Sequence, residues 1–157
     1  MIYQARFAHL EHTNSLEVGE TVERGHVIGR MGNSGKSAAP HVHFDLIQEV
    51  VNDKVYRLKD IEGYTKNHAA LLGQYHYFLD HELFDYPLKV TSCFGDPSYL
   101  NGGFWEYHPA YDIVPLDRHE TTKHFDLHWN RTSHGKVVAV GEDYGYGNYI
   151  CIAYQGA

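Results

Sequence analysis

The chain has 157 residues, of which 43% are hydrophobic and 21% charged, a composition that suits one globular domain with a sizeable core and excludes disorder. Its formal net charge of −7 argues against nucleic acid as the main partner and provides no general attraction to an anionic cell wall. No stretch approaches the roughly 18 to 20 apolar residues of a membrane span. No secretory signal begins at Met1 either, because Ile2 to Leu10 is short and interrupted by Gln4 and Arg6. If Met1 is the native start, the protein stays in the cytoplasm or leaves it by another route.

Taken in order, Ile2 to Leu10 is rich in strand-forming residues. Leu16 to Gly29 reads as two valine-containing strands between glycine turns. Lipoyl and biotinyl carrier domains share that pattern, but they present a modifiable lysine at a hairpin tip, and Lys36 stands in the wrong context. Gly32 to Gly35 form a turn cluster, and Pro40 suits the first position of the next strand. That strand ends near Val50. It places His41 and His43 side by side on one face, with Val42, Phe44 and Leu46 on the other.

Asn52 to Leu83 differs in character. Val55, Leu58, Ile61, Leu71, Leu72, Tyr75 and Leu79 recur at helix-like intervals broken by Gly63 and Gly73. The spacing predicts one or two short helices, with Asn67 to Glu82 foremost, packed by one apolar face. His68, His76 and His81 are expected at the surface. Ser98 to Glu106 reads as a loop, and Tyr99, Trp105 and Tyr107 could line a peptide groove or simply pack against one another. His108 to Asp112 is loop and strand rather than helix, given Pro109 and the following Ile113-Val114-Pro115. Asp117 to His134 is polar and reads as an insertion or long loop; its four histidines have spacings that fit no ligand motif. Gly135 to Tyr154 is two strands around a Gly145-Tyr146-Gly147-Asn148 turn. Cys93 and Cys151 lack metal-type spacing and are expected as buried free thiols, with a disulfide left open.

Most of the 13 histidines must be surface or structural residues, so the H-x-H pair needs a partner before it means anything. His108-x-x-x-Asp112 is the candidate. Two histidines and one carboxylate leave a fourth tetrahedral position for water, the arrangement of a catalytic zinc. On physical grounds either His41 or His43 can be the ligand and the other a general base.

The segment G-N-S-G-K-S-A-A-P-H-V-H-F resembles the signature of the lysostaphin/LytM-type zinc endopeptidases, which cut the peptide part of bacterial peptidoglycan. His108-x-x-x-Asp112 resembles the other half of their metal site. Phe7-Ala8-His9-Leu10 stands where the family has Y-x-H-L, Tyr86 to Gly95 resembles its opening strand, and Gly135 to Tyr154 resembles its G-x-V and Y-G-N-x-V-x-I strands. Three departures accompany these matches. Phe7 replaces the usual tyrosine, Asp96-Pro97 stands where an arginine commonly follows, and Ala110 replaces glycine.

The order of the half-sites is also reversed relative to the family. Joining Ala157 to Met1 restores it, so the resemblance implies a mainly β, compact LytM-like domain, circularly permuted and spanning residues 1–157. Residues 1–50 then carry the H-x-H half, 51–83 a helical connector and 84–157 the H-x-x-x-D half. Circular permutation is best tolerated at exposed turns such as a hairpin tip. The rival account is a piece of two tandem copies completed by another chain. A monomer is favoured, and a domain-swapped dimer is the alternative.

The resemblance further implies one Zn2+ per domain, held by His43, His108 and Asp112. His41 becomes the general base and His9 orients the water or stabilises the oxyanion; Tyr99 and Tyr107 are candidates for assisting catalysis. The implied function is a zinc-dependent endopeptidase acting on peptidoglycan peptides at the bacterial cell wall, as a phage lysin, a tail-associated enzyme or a wall-remodelling enzyme. The alternative is a non-catalytic LytM-like binding or regulatory module.

Overall fold

The computed structural model describes residues 2–37, 39–51, 54–57, 68–81, 83–84, 87–92, 97–99, 105–107, 110–116 and 125–156. The central strand is β1 (Ile2–His12). It pairs antiparallel with β12 (Gly147–Gln155) on one side and with β4 (Val42–Val51) on the other. The sheet continues past β12 to β11 (Gly135–Asp143) and the short β2 (Thr21–Val22), and past β4 to β9 (Tyr111–Pro115) and β6 (Leu88–Ser92). A second branch leaves the far end of β1 through β3 (Val27–Met31) to β10 (Asp126–His128). The mainly β, antiparallel architecture expected from the sequence is therefore the observed one. Among the described residues no helix is long and apolar enough to cross a membrane.

Alternation sorts the central strands into two faces. Tyr3, Ala5 and Phe7 of β1 and Val42, Phe44 and Leu46 of β4 are buried on one of them. Phe7 and Phe44 stack with ring centroids 4.9 Å apart. The single described helix, α1 (His68–Asp80), covers this face, within the span expected for it. Tyr75 and Phe78 are fully buried against Phe44. The Tyr75 hydroxyl also accepts the Leu46 N–H at 2.8 Å, beside the register shift between β1 and β4. Each fully buried ring of this kind contributes about 1.5–3 kcal/mol. His76 is exposed and His81 half-buried, the latter stacked on Tyr77 with its Nδ1 2.6 Å from that residue's carbonyl.

Three expectations are corrected. Lys54–Arg57 is a strand, β5, pairing back on β4 from Val51↔Lys54 to Gln48↔Arg57, and not part of a helical connector. In sequence, Val50-Val51 and Lys54-Val55-Tyr56 flank an Asn-Asp dipeptide, a composition common between paired strands that the wider helical spacing obscured. Part of the segment read as the Ser98 to Glu106 loop is likewise paired strand, β7 (Pro97–Tyr99) with β8 (Trp105–Tyr107). Of the segment Asp117 to His134, residues 117–124 lie outside the described residues, and the described part, 125–134, is no simple polar insertion. Phe125, Leu127 and Trp129 alternate into the core, and Trp129 heads the fully buried side chains. Polar flanks hid this short period-2 pattern. Arg131 follows it, buried with its guanidinium 4.1 Å from the Tyr77 ring centroid and 4.5 Å from that of Tyr154.

The pairing of β1 with β12 starts at Ile2↔Gln155, which sets the two end strands side by side in the register of a hairpin. Cys151 is a buried free thiol whose pKa burial pushes up to about 11. Cys93 lies outside the described residues.

Candidate active site

The polar face of the central strands carries the candidate site. Three antiparallel neighbours set one row across the sheet: Ala8 on β1 faces His43 on β4, and His43 faces Asp112 on β9. His43 and Asp112, read from distant parts of the sequence, thus face each other within one chain. One step along, Arg6 faces Asp45.

His43 Nδ1 lies 3.4 Å from Asp112 Oδ1, and His41 Nε2 lies 3.6 Å from the same oxygen. His9 closes the group from β1, with its ring centroid 4.8 Å from that of His41 and 5.9 Å from that of His43. His9 reaches this position because it adopts a left-handed backbone, φ 61°, in the bulge where the β1–β12 register shifts between Phe7 and Leu10. A non-glycine residue in that region costs of order 1–3 kcal/mol and persists only where its surroundings impose it.

Two glycine-containing turns impose it here. The His9 N–H donates to the Tyr146 carbonyl at 2.8 Å, and the imidazole Nδ1 lies 2.8 Å from the Ser34 carbonyl. Ser34 Oγ donates to Leu10 O at 2.6 Å and accepts the Asn148 N–H at 3.0 Å, while Asn148 Nδ2 donates to the carbonyls of Leu10 and Glu11. Gly35 (φ 73°) and Gly147 (φ 63°) lie back to back. A Cβ on Gly35 would stand 2.2 Å from Gly147 N, so neither position admits a side chain. The G-N-S-G and Y-G-N motifs are thus two halves of one clamp on His9.

The ring nitrogens are set by what lies behind them. His9 Nδ1 faces the Ser34 carbonyl, and His41 Nδ1 faces the Ala39 carbonyl at 2.8 Å with Ser37 Oγ at 3.1 Å. Carbonyls only accept, so these nitrogens carry hydrogen and Nε2 is left as the acceptor on each neutral ring. His43 is turned the other way. Its Nε2 faces Asp45 Oδ1 at 3.7 Å, which puts Nδ1 toward Asp112.

Burial lowers the pKa of His9, and neighbouring His41 and His43 add to this; the Ser34 carbonyl and Asp112 only partly oppose it. For His43, burial disfavours charge, but hydrogen bonding to Asp112 and Asp45 outweighs it and pushes its pKa up to about 9. Burial would raise the pKa of Asp45, yet His43 and Arg6 hold it below the usual carboxylate range.

The His43–Asp112 separation fits a metal. Bonds of 2.0–2.2 Å at a tetrahedral angle put two ligands of one zinc about 3.3–3.5 Å apart. Among the described residues no group of three or more histidine, cysteine or carboxylate side chains is placed to hold an ion. The third expected ligand, His108, lies outside the described residues, three positions before β9. Tyr99 and Tyr107 belong to the β7–β8 ribbon, and their side chains are likewise outside the description. Sequence reading singled out His9, His41, His43 and Asp112, and the structure brings these four together. It missed Arg6 and Asp45, whose signal is a pair of opposite charges at matching positions on strands that only the register makes neighbours.

Three imidazoles and a carboxylate thus gather where β1, β4 and β9 meet in an antiparallel β domain. Residues 2–55 match the model of Peptidase family M23, which supports the LytM-type family for this chain and, in general terms, a metallopeptidase-type enzyme. The match takes in His9, His41 and His43 and stops before His108 and Asp112. No solved structure matches the chain.

Proposed function

We propose that the protein is a zinc-dependent endopeptidase that hydrolyses peptide bonds in bacterial peptidoglycan, acting at the cell wall as a phage lysin or tail-associated enzyme. The observation that carries this reading is the convergence of His9, His41, His43 and Asp112 from both halves of the chain. The M23 match to the first half supports it. The β1–β12 pairing in hairpin register supports the permuted order of the half-sites, and on this reading a single chain supplies the whole site.

His43 and Asp112, with His108, would hold the ion, which when bound would polarise the scissile carbonyl and acidify its water. His41 presents an Nε2 lone pair toward Asp112 and is placed to take the proton from that water, then return it to the leaving amine. His9, neutral and with Nδ1 committed to Ser34, orients the water by accepting its hydrogen bond. Stabilising an oxyanion would require a proton on His9 Nε2, which its lowered pKa disfavours. The water-orienting role is therefore the one assigned.

Native mass spectrometry with added zinc, followed by a peptidoglycan turbidity assay, tests the proposal. One zinc per monomer and clearing of peptidoglycan are expected, and His43→Ala should lose both. Zinc only on a dimer would replace the permuted monomer with swapped halves. No zinc in any form would overturn the peptidase reading in favour of a non-catalytic LytM-like module.

A further inference from the structure

We propose that Arg6 and Asp45 form a brace that fixes the His43 imidazole with Nδ1 toward the ion-binding point. Both are positioning residues for the metal, and the inference rests on the metallopeptidase reading above. Arg6 and Asp45 are direct cross-strand partners, one row from Ala8 and His43. The guanidinium engages the carboxylate through two bonds, Nε to Oδ1 at 2.9 Å and Nη2 to Oδ2 at 2.5 Å. Asp45 is only 4% exposed, and its Oδ1 is shared between Arg6 Nε and the His43 Nε2 edge.

Tyr146 holds the other side of Arg6. Its ring lies 3.9 Å from the guanidinium carbon, and its hydroxyl accepts from Nη2 at 2.9 Å. The backbone carbonyl of the same residue holds His9. One turn thereby ties the backing of His43 to the backbone of His9.

A purely stabilising role explains this poorly. Taking two charges out of water costs several kcal/mol per ion before their attraction returns it, and an apolar pair often serves as well. A carboxylate behind a ligating imidazole has a specific use. It accepts the N–H of the far nitrogen, fixes the tautomer and raises the basicity of the near one. His9 and His41 have carbonyls at Nδ1, whereas His43 lies between two carboxylates, Asp112 at Nδ1 and Asp45 at Nε2. The three rings are thus sorted into one that presents Nδ1 and two that present Nε2. Arg6 holds the Asp45 carboxylate through both of its oxygens.

The test is zinc affinity of the whole chain, by competition with a chromophoric chelator. Asp45→Asn should weaken zinc binding about 10–100-fold. Arg6→Gln should weaken it less, and Arg6→Lys should recover part of that loss. Unchanged affinity in Asp45→Asn overturns the brace while leaving the peptidase reading intact. A wild type that binds no zinc removes both. Should Asp45→Asn fail to fold, nitrogen NMR of zinc-loaded wild type decides: His43 protonated on Nε2 is expected, and His43 protonated on Nδ1 overturns the proposal.

Discussion

On one face of the β1–β4 pair stand Phe7, Phe44 and Leu46; on the other stand Arg6, Ala8, His43 and Asp45. The two sets alternate along the same residues of the same strands. The aromatic face is held by area and by contacts with α1, which have little directional demand, and similar apolar side chains would fill it at modest cost. On the polar face Arg6, His43 and Asp45 each have a specified partner, and they cost desolvation that is returned only by geometry. One face therefore sets stability, and the other sets orientation.

The sharpest way to separate them is His41→Ala, which should lower peptidoglycan turnover about 10²–10⁴-fold while zinc content and melting temperature stay near wild type. Loss of zinc together with turnover would make His41 the ligand. Phe44→Ala should do the reverse, costing about 3–5 kcal/mol in urea unfolding while the fraction still folded keeps its zinc.

The metal-free protein offers a test of the polar face alone. The pKa of His43 rises from an ordinary 6.5 to about 9 in the folded chain. Its stabilising contribution is therefore complete below pH 6.5 and lost as pH rises through about 9. Relative to His43→Gln, metal-free wild type should lose on the order of 2 kcal/mol across that window. A flat difference would remove the proton shared by His43 with Asp112 and Asp45. At the clamp, Gly35→Ala should cost more than the about 1–2 kcal/mol of its left-handed backbone alone, because the added Cβ would stand 2.2 Å from Gly147 N. The contact with Gly147 should also disturb His9, visible as a shift in its imidazole resonances.

Much of this was legible in the sequence. Strict alternation around H-V-H put the two histidines on one face, and the glycine-bounded turns marked the hairpins. The spacing of Tyr75 and Leu79 located α1. What failed to show were features decided by partners far along the chain. The Phe125, Leu127 and Trp129 strand is too short to stand out among polar residues, and its burial depends on β3. The Arg6–Asp45 pair is 39 residues apart and is set only by the register of β1 against β4. His9 in its left-handed conformation is likewise invisible until Ser34 and Tyr146 are seen to hold it.

Because Ile2 faces Gln155, the two ends of the chain act as a single attachment point. At about 3.4 Å per residue along β1, that point stands roughly 24 Å from His9. A wall-binding module or affinity tag fused to either end would thus emerge at the same place and sweep the same volume around the site, so the choice of terminus would leave its reach to the substrate unchanged.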